Sequence, residues 1–250
     1  MARTKALLSR VLGVLLVGLL MQLAGHLRGD ALVFPGVGAI LTAFLRLLAA
    51  PATWRMVGTT LLHLVLSLGV SALLGVALGL IEGLSPFARG LLSPLMALLR
   101  SIPMIVLVVV IMVLTKYERV PLIATCAILV PLISEAACAG CLGIEPELID
   151  VYRLNSGLTL RVILRVYLPL MAGYLRQAWI SAAGSGLKLV ISCEYLVQSK
   201  HSLGKAIYSS SYFNEFADIY AYALIMILLV FALADLPTLL LRRAGREEGA

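Results

Sequence analysis

The stretch Ile144-Glu-Pro-Glu-Leu-Ile-Asp-Val-Tyr-Arg-Leu-Asn-Ser-Gly157, running on to Val166-Tyr-Leu-Pro169, interrupts sequence that is otherwise apolar enough for a lipid bilayer. Charged side chains are costly in hydrocarbon, so Glu145, Glu147, Asp150, Arg153, Arg161 and Arg165 belong in water or against a soluble partner. A membrane chain that keeps a charged element at 143–169 between two spans presents it to something outside the bilayer. Pro146 suits the first turn of a helix, with Glu145 and Glu147 favourable at its positive end. Leu148, Ile149 and Tyr152 share one face of that helix. Asn155-Ser156-Gly157 breaks it. A second helix from Leu158 then sets Ile163, Val166 and Tyr167 on an apolar side, with Arg161 and Arg165 four apart on the other.

The class follows from the sequence around this insert. Of 250 residues, 61% are hydrophobic and 13% charged, and the mean hydropathy is +1.03; soluble chains carry roughly a quarter charged residues. The expectation is an all-α, polytopic membrane protein, one domain over 1–250. A span needs about 20 apolar residues to cross ~30 Å of hydrocarbon. Six segments qualify: Ala6–Ala24, Val57–Ile81, Pro103–Leu114, Val120–Ala139, Leu170–Leu196 and Ile219–Leu241. The third is short, so it is expected to begin near Leu91–Leu99, with Arg100 snorkelling to the interface and Pro103 kinking the helix. The first reads as an uncleaved span, because its apolar run is long and Gly25-His-Leu-Arg is not a small-x-small cleavage site.

The net charge of +7 comes from basic residues scattered along the chain. Nucleic acid, which calls for a basic stripe, is therefore not the expected partner, and lipid headgroups are. Lys and Arg weigh toward the N-terminal side of the membrane (Arg3, Lys5, Arg10, Arg89, Arg153, Arg161, Arg165, Arg242, Arg243, Arg246) over the other (Arg28, Arg46, Arg55, Lys116, Arg119, Lys200, Lys205). This places both termini and the insert in the cytoplasm. On that topology the segment at about 34–50 forms an external interfacial helix, and Gln198–Asp218 a short external helix and turn.

Within the second span, His63, Ser67, Ser71, Gly75 and Gly79 recur at four-residue intervals and share one helix stripe, where small side chains let two backbones approach closely. Packing within the chain accounts for such a stripe more economically than a subunit interface. Ionisable residues in or beside spans are functional candidates by default: Arg100, Glu135, Arg176, Lys188 and Glu194. Structural roles compete, since Arg100 and Arg176 can snorkel and the others can find partners on neighbouring helices. Lys188 and Glu194 are six residues apart, about 240° around a helix, so they do not pair with each other. Glu135, a carboxylate near the inner end of an apolar span, leads as a pathway residue. Cys138-Ala-Gly-Cys141 has redox spacing, although small, soft residues packing at a helix end explain it as well.

The insert resembles the "EAA" loop of the permease subunits of bacterial ABC importers, which reads Glu-Ala-Ala, three residues, Gly, nine residues, Ile-x-Leu-Pro. Counting back from Val166-Tyr-Leu168-Pro169 puts the Glu-Ala-Ala slot on Asp150-Val151-Tyr152 and the glycine slot on Ser156. The literal Glu135-Ala-Ala137 lies too far upstream and inside an apolar span. Further likenesses are to the nitrate/sulfonate/taurine-type permeases. Phe34-Pro-Gly-Val is similar to their "LPSP", Leu99-Arg-Ser-Ile-Pro103 to "LRPIP", Ile144-Glu-Pro-Glu-Leu-Ile-Asp150 to "DPELLEAA", and Glu194 with Ser202-Leu-Gly204 to "AE…GLG". The resemblance covers nearly the whole chain after Val33. Val151 and Tyr152 are bulkier than the family's alanines.

The resemblance implies a type I permease architecture in a bacterial inner membrane, paired with a second copy or a sister permease. It also implies two ATPase subunits carrying ATP and Mg, and a periplasmic or lipid-anchored solute-binding protein. The ATPase-coupling positions carried over are Glu145, Pro146, Glu147, Leu148, Asp150, Val151, Tyr152, Arg153, Leu154, Asn155, Ser156, Leu168 and Pro169. The chain itself holds no G-x-x-x-x-G-K-[ST] loop, so no catalytic residue, metal or cofactor is expected in it. Two other classes compete: a membrane disulfide oxidoreductase on Cys138 and Cys141, and a proton-coupled secondary transporter using Glu135 or Glu194. Six spans without an inverted repeat speak against the latter.

Overall fold

The computed structural model describes residue 25 and residues 33–145, 147–148 and 159–230. The expected span Ala6–Ala24, the end of the last span, and Pro146 and Ile149–Leu158 of the insert lie outside the described residues. The described residues form helices α1 Val37–Ala49, α2 Pro51–Leu84, α3 Pro86–Ser101, α4 Met104–Leu114, α5 Val120–Leu142, α6 at 160–170, α7 Ala172–Val197, α8 Leu203–Tyr212 and α9 Phe216–Val230. No strand occurs among the described residues. By length and composition α2, α5 (with the turn Tyr117–Arg119) and α7 can each cross a membrane. The all-helical, multi-pass architecture expected from composition is the one observed.

Close approach at small residues sets the arrangement of these three spans. A Cβ added to Gly75 would lie 2.8 Å from the Cβ of Ile133, one at Gly79 2.5 Å from that of Ala137, and one at Gly83 2.5 Å from that of Cys141. Residue numbers rise together on the two sides, so α2 and α5 run parallel. The stripe Ser67, Ser71, Gly75 and Gly79 is buried, and its two glycines meet α5 of the same chain. α7 runs the other way: Gly140 of α5 faces Met171 and Tyr174, while Gly186 faces Leu64 and Leu129. Leu84, Leu142 and Met171 therefore share one end of the bundle, from which the insert emerges. Thr60, Glu194 and α8 share the opposite end.

Two parallel spans need a return path, and α3 with α4 supplies it. The two helices meet at 103°, because Ile102 (ψ 126°) and Pro103 (ψ 132°) are both extended. Proline disfavours helix at the residue before it and brings no N–H to continue the ladder. The expected kinked third span is thus corrected to a broken pair. α4 has 11 residues, about 16 Å at 1.5 Å per residue, half the hydrocarbon thickness. α3 starts at a side-chain cap, Ser85 Oγ accepting from the Ala88 N–H at 3.3 Å, with Pro86 in its first turn.

At the end opposite the insert, α1 occupies the position of the expected interfacial helix. It buries Ala43 and Leu47 in a cluster with Tyr222 and Ile225 of α9, and Arg46 pairs with Asp218, Oδ2 at 2.6 Å. α8 and the turn after it fall where a short helix and turn were expected. At the insert end, Thr159 caps α6 by accepting from the Val162 N–H. α6 is π-helical over Ile163–Tyr167. Pro169 offers no N–H to the Arg165 carbonyl, a local cause of such a widening. Tyr167 and Met171 anchor α6 in a core with Leu80, Ala137, Cys141 and Ile144.

Candidate functional site

α7 carries the feature that sets it apart from the other membrane-length helices. Its inward face is Ala178, Ala182, Ala183, Gly186, Leu187, Val190 and Ile191, small and apolar and buried. Its outward face reads Gln177, Ser181, Ser185, Lys188 and Ser192, spaced four, four, three and four residues, hence one stripe. Gln177, Ser181, Lys188 and Ser192 are exposed and Ser185 half-exposed. Ser185 Oγ donates to the Ser181 carbonyl at 2.6 Å and Ser192 Oγ to the Lys188 carbonyl at 2.8 Å. No described side chain pairs with Lys188. Beside the stripe, a Cβ built on Gly184 would meet nothing within 4 Å. Hydrocarbon would leave the Lys188 ammonium and the Gln177 amide without partners, so this face requires water or protein. The outward faces of α2 and α4, by contrast, present Leu62, Leu66, Leu73, Val106, Val109 and Val113, which lipid satisfies.

Glu194 is on the same helix but is turned inward and has no exposed surface. Its Oε2 accepts from Thr60 Oγ1 at 2.8 Å and from the Gly204 N–H at 3.3 Å, and its Oε1 lies 2.8 Å from His63 Nδ1. Thr60 Oγ1 in turn accepts from the Leu203 N–H at 3.0 Å. The carboxylate thus sits at the first turn of α8, where its charge meets the positive end of the helix dipole. It ties α2, α7 and α8 at one point. Gly204 has to be glycine, since a Cβ there would lie 2.5 Å from the Tyr195 nitrogen and 2.6 Å from the Ile191 carbonyl. The expected likeness of Glu194 and Ser202-Leu-Gly204 to one sequence element corresponds to a contact in space.

Arg100 and Glu135 form an ion pair between α3 and α5. Glu135 therefore has a cation partner, and Arg100 is engaged with the bundle. Arg176 is exposed. A carboxylate that the sequence did not single out, Glu82, is only 4% exposed, with Oε1 accepting from Ser134 Oγ at 3.0 Å. Arg89 closes the C-terminal end of α2 by donating to the Glu82 and Gly83 carbonyls at 3.0 and 3.2 Å. These four charges border a cavity of ≈ 230 Å³ between α3 and α5. Spacing in the sequence places Glu82 one step beyond Gly79 on the stripe facing α5, and that was the available signal. Cys138 and Cys141 are free thiols buried on α5, Cys141 against Gly83.

Of the insert, the structure places Glu145, Glu147 and Leu148 exposed beyond the end of α5, and Leu168 and Pro169 at the entry to α7. Pro146, Asp150, Val151, Tyr152, Arg153, Leu154, Asn155 and Ser156 lie outside the described residues. Glu145 and Leu168 thus flank the expected coupling helix from the two spans it would join.

Neither a family model nor a curated protein matches the sequence. Among solved structures, the fold is similar to that of a chain in the MetNI methionine ABC transporter, seen in inward-facing conformations. The TM-score is 0.62 at 19% identity, over 78% of this chain and 98% of the other. The likeness extends to the fold: this is an all-helical chain of membrane-length apolar helices folded like a chain of that transporter.

Proposed function

We propose that this chain is a permease subunit of an ABC importer, forming the membrane pathway for a small solute delivered by a periplasmic or lipid-anchored binding protein. The observation that carries the proposal is the exposed polar stripe of α7 in a permease-like fold whose α2 and α4 present apolar outward faces. Two such stripes, one from this chain and one from a second copy or a sister permease, would enclose a hydrated route between them. In this proposal Lys188 is the pathway charge. Glu194 holds α8 in place, and the Arg100–Glu135 pair holds α3. The motifs quoted above support the nitrate/sulfonate/taurine-type branch in a bacterial inner membrane, with both termini cytoplasmic.

Energy enters from two separate ATPase subunits that bind ATP and Mg. The insert at 143–169 is the lever between them and the spans. The described geometry supports this role: α6 is anchored by Tyr167 and Met171 against Leu80, Ala137 and Cys141, so force applied beyond Leu148 reaches the spans through packed side chains. ATP favours the closed ATPase pair, and the differential affinity drives the rocking of the spans.

The test is purification from the native membrane under mild detergent. A co-purifying P-loop ATPase, lost on replacing Asp150 and Tyr152 together by Lys, is the expected outcome. A chain that purifies without any ATPase, or whose Cys138→Ser/Cys141→Ser variant alone loses activity, would end the proposal.

A further inference from the structure

α3 is amphipathic in an unusual setting. Phe87, Leu91, Leu95 and Leu98 form one stripe and are all exposed, Phe87 by 83%, while Arg89, Ser93 and Arg100 lie on the opposite side facing α5. No residue of α3 is buried. The helix turns 103° away from α4, which lays it across the bundle rather than along it, near the ends of α2 and α5 from which the insert emerges. Between α3 and α5 runs the ≈ 230 Å³ cavity bordered by Glu82, Arg89, Arg100 and Glu135. A helix with an apolar stripe on one side and cations on the other lies in the interface of a membrane. Here the polar side borders a charged cleft, with Arg100 and Glu135 45% and 61% exposed.

We propose that this cleft holds the headgroup of an aminophospholipid. The occupant follows from the charges. Two guanidinium groups and two carboxylates sum to zero, which complements a zwitterion rather than an anion. Arginine suits phosphate oxygens, and each guanidinium keeps donors beyond those committed to Glu135 or to the Glu82 and Gly83 carbonyls. A primary ammonium has three N–H donors for Glu135 and for Glu82, whose carboxylate is buried and accepts from Ser134 Oγ on Oε1. A choline headgroup has no N–H to give, and a glycerol headgroup has no positive charge. The site is independent of the transport reaction and fixes the depth at which α3 sits.

The experiment uses the full-length chain in nanodiscs of phosphatidylethanolamine with phosphatidylglycerol, and of phosphatidylcholine with phosphatidylglycerol at the same ratio. Lipid retained after transfer to mild detergent is read by native mass spectrometry. The expected result is retention of phosphatidylethanolamine over phosphatidylcholine by about tenfold, the scale of one charge-assisted hydrogen bond. Glu135→Gln and Arg100→Gln, both at exposed positions that leave the core intact, should each bring the ratio close to one. Equal retention of both lipids, or a preference unchanged in both variants, would overturn the proposal.

Discussion

Removing the buried carboxylate of Glu194 is the sharpest perturbation available. Its two oxygens serve three groups: Thr60 Oγ1 and the Gly204 N–H on one, His63 Nδ1 on the other. Glu194→Gln keeps the shape and one acceptor oxygen, which can retain Thr60 and Gly204. The amide nitrogen then faces His63, whose Nδ1 can accept only as a neutral tautomer. One charge-assisted contact is weakened, at about 1–3 kcal/mol. Glu194→Ala instead strands Thr60 Oγ1 and the Gly204 N–H in a buried site and leaves His63, 18% exposed, without its partner; about 3–5 kcal/mol is expected. Thermal unfolding of the full-length chain in nanodiscs reads both. A double-mutant cycle with His63→Ala should show that the Gln and His63 effects are not additive. If both Glu194 variants unfold like the parent while transport is lost, the carboxylate belongs to the pathway and the structural role assigned to it is wrong.

Gly79→Ala should destabilise the α2–α5 pair, because its Cβ would fall 2.5 Å from that of Ala137; overpacking of this kind costs about 1–3 kcal/mol, and Gly184→Ala, where nothing lies within 4 Å, should be silent in the same unfolding assay. In a cysteine scan, Ser181→Cys, Ser185→Cys and Ser192→Cys should react with a membrane-impermeant thiol reagent in the assembled transporter, whereas Leu73→Cys and Val109→Cys should not; equal labelling of both sets would remove the stripe from the pathway. Arg46→Ala breaks a pair whose arginine is largely exposed, so the melting temperature should move by no more than about 1 kcal/mol implies.

Hydropathy is a sum over neighbouring residues, which is why the class, the approximate spans and the charged insert could be read in order along the chain. The stripe from Ser67 to Gly79 was legible for the same reason, since helical periodicity alone brings those residues to one face. The sequence also pointed to Glu194 and Gly204 as related. It could not show that relation to be a hydrogen bond, because Thr60 and His63, more than a hundred residues away, complete the site. The α7 stripe was visible only at Lys188. Its serines are unremarkable in a spacing count until burial of the opposite face leaves them outside.

What the sequence determined by itself is that this chain is built of membrane-grade helices interrupted by polar segments, because the cost of each residue in hydrocarbon is a local property. What only the tertiary structure decided is partnership and direction. These are the parallel run of α2 and α5, the return through a broken α3–α4 pair, Arg100 against Glu135, and Glu82 buried beside Ser134. Such contacts depend on where helices cross, and crossing is set by the packing of all of them together.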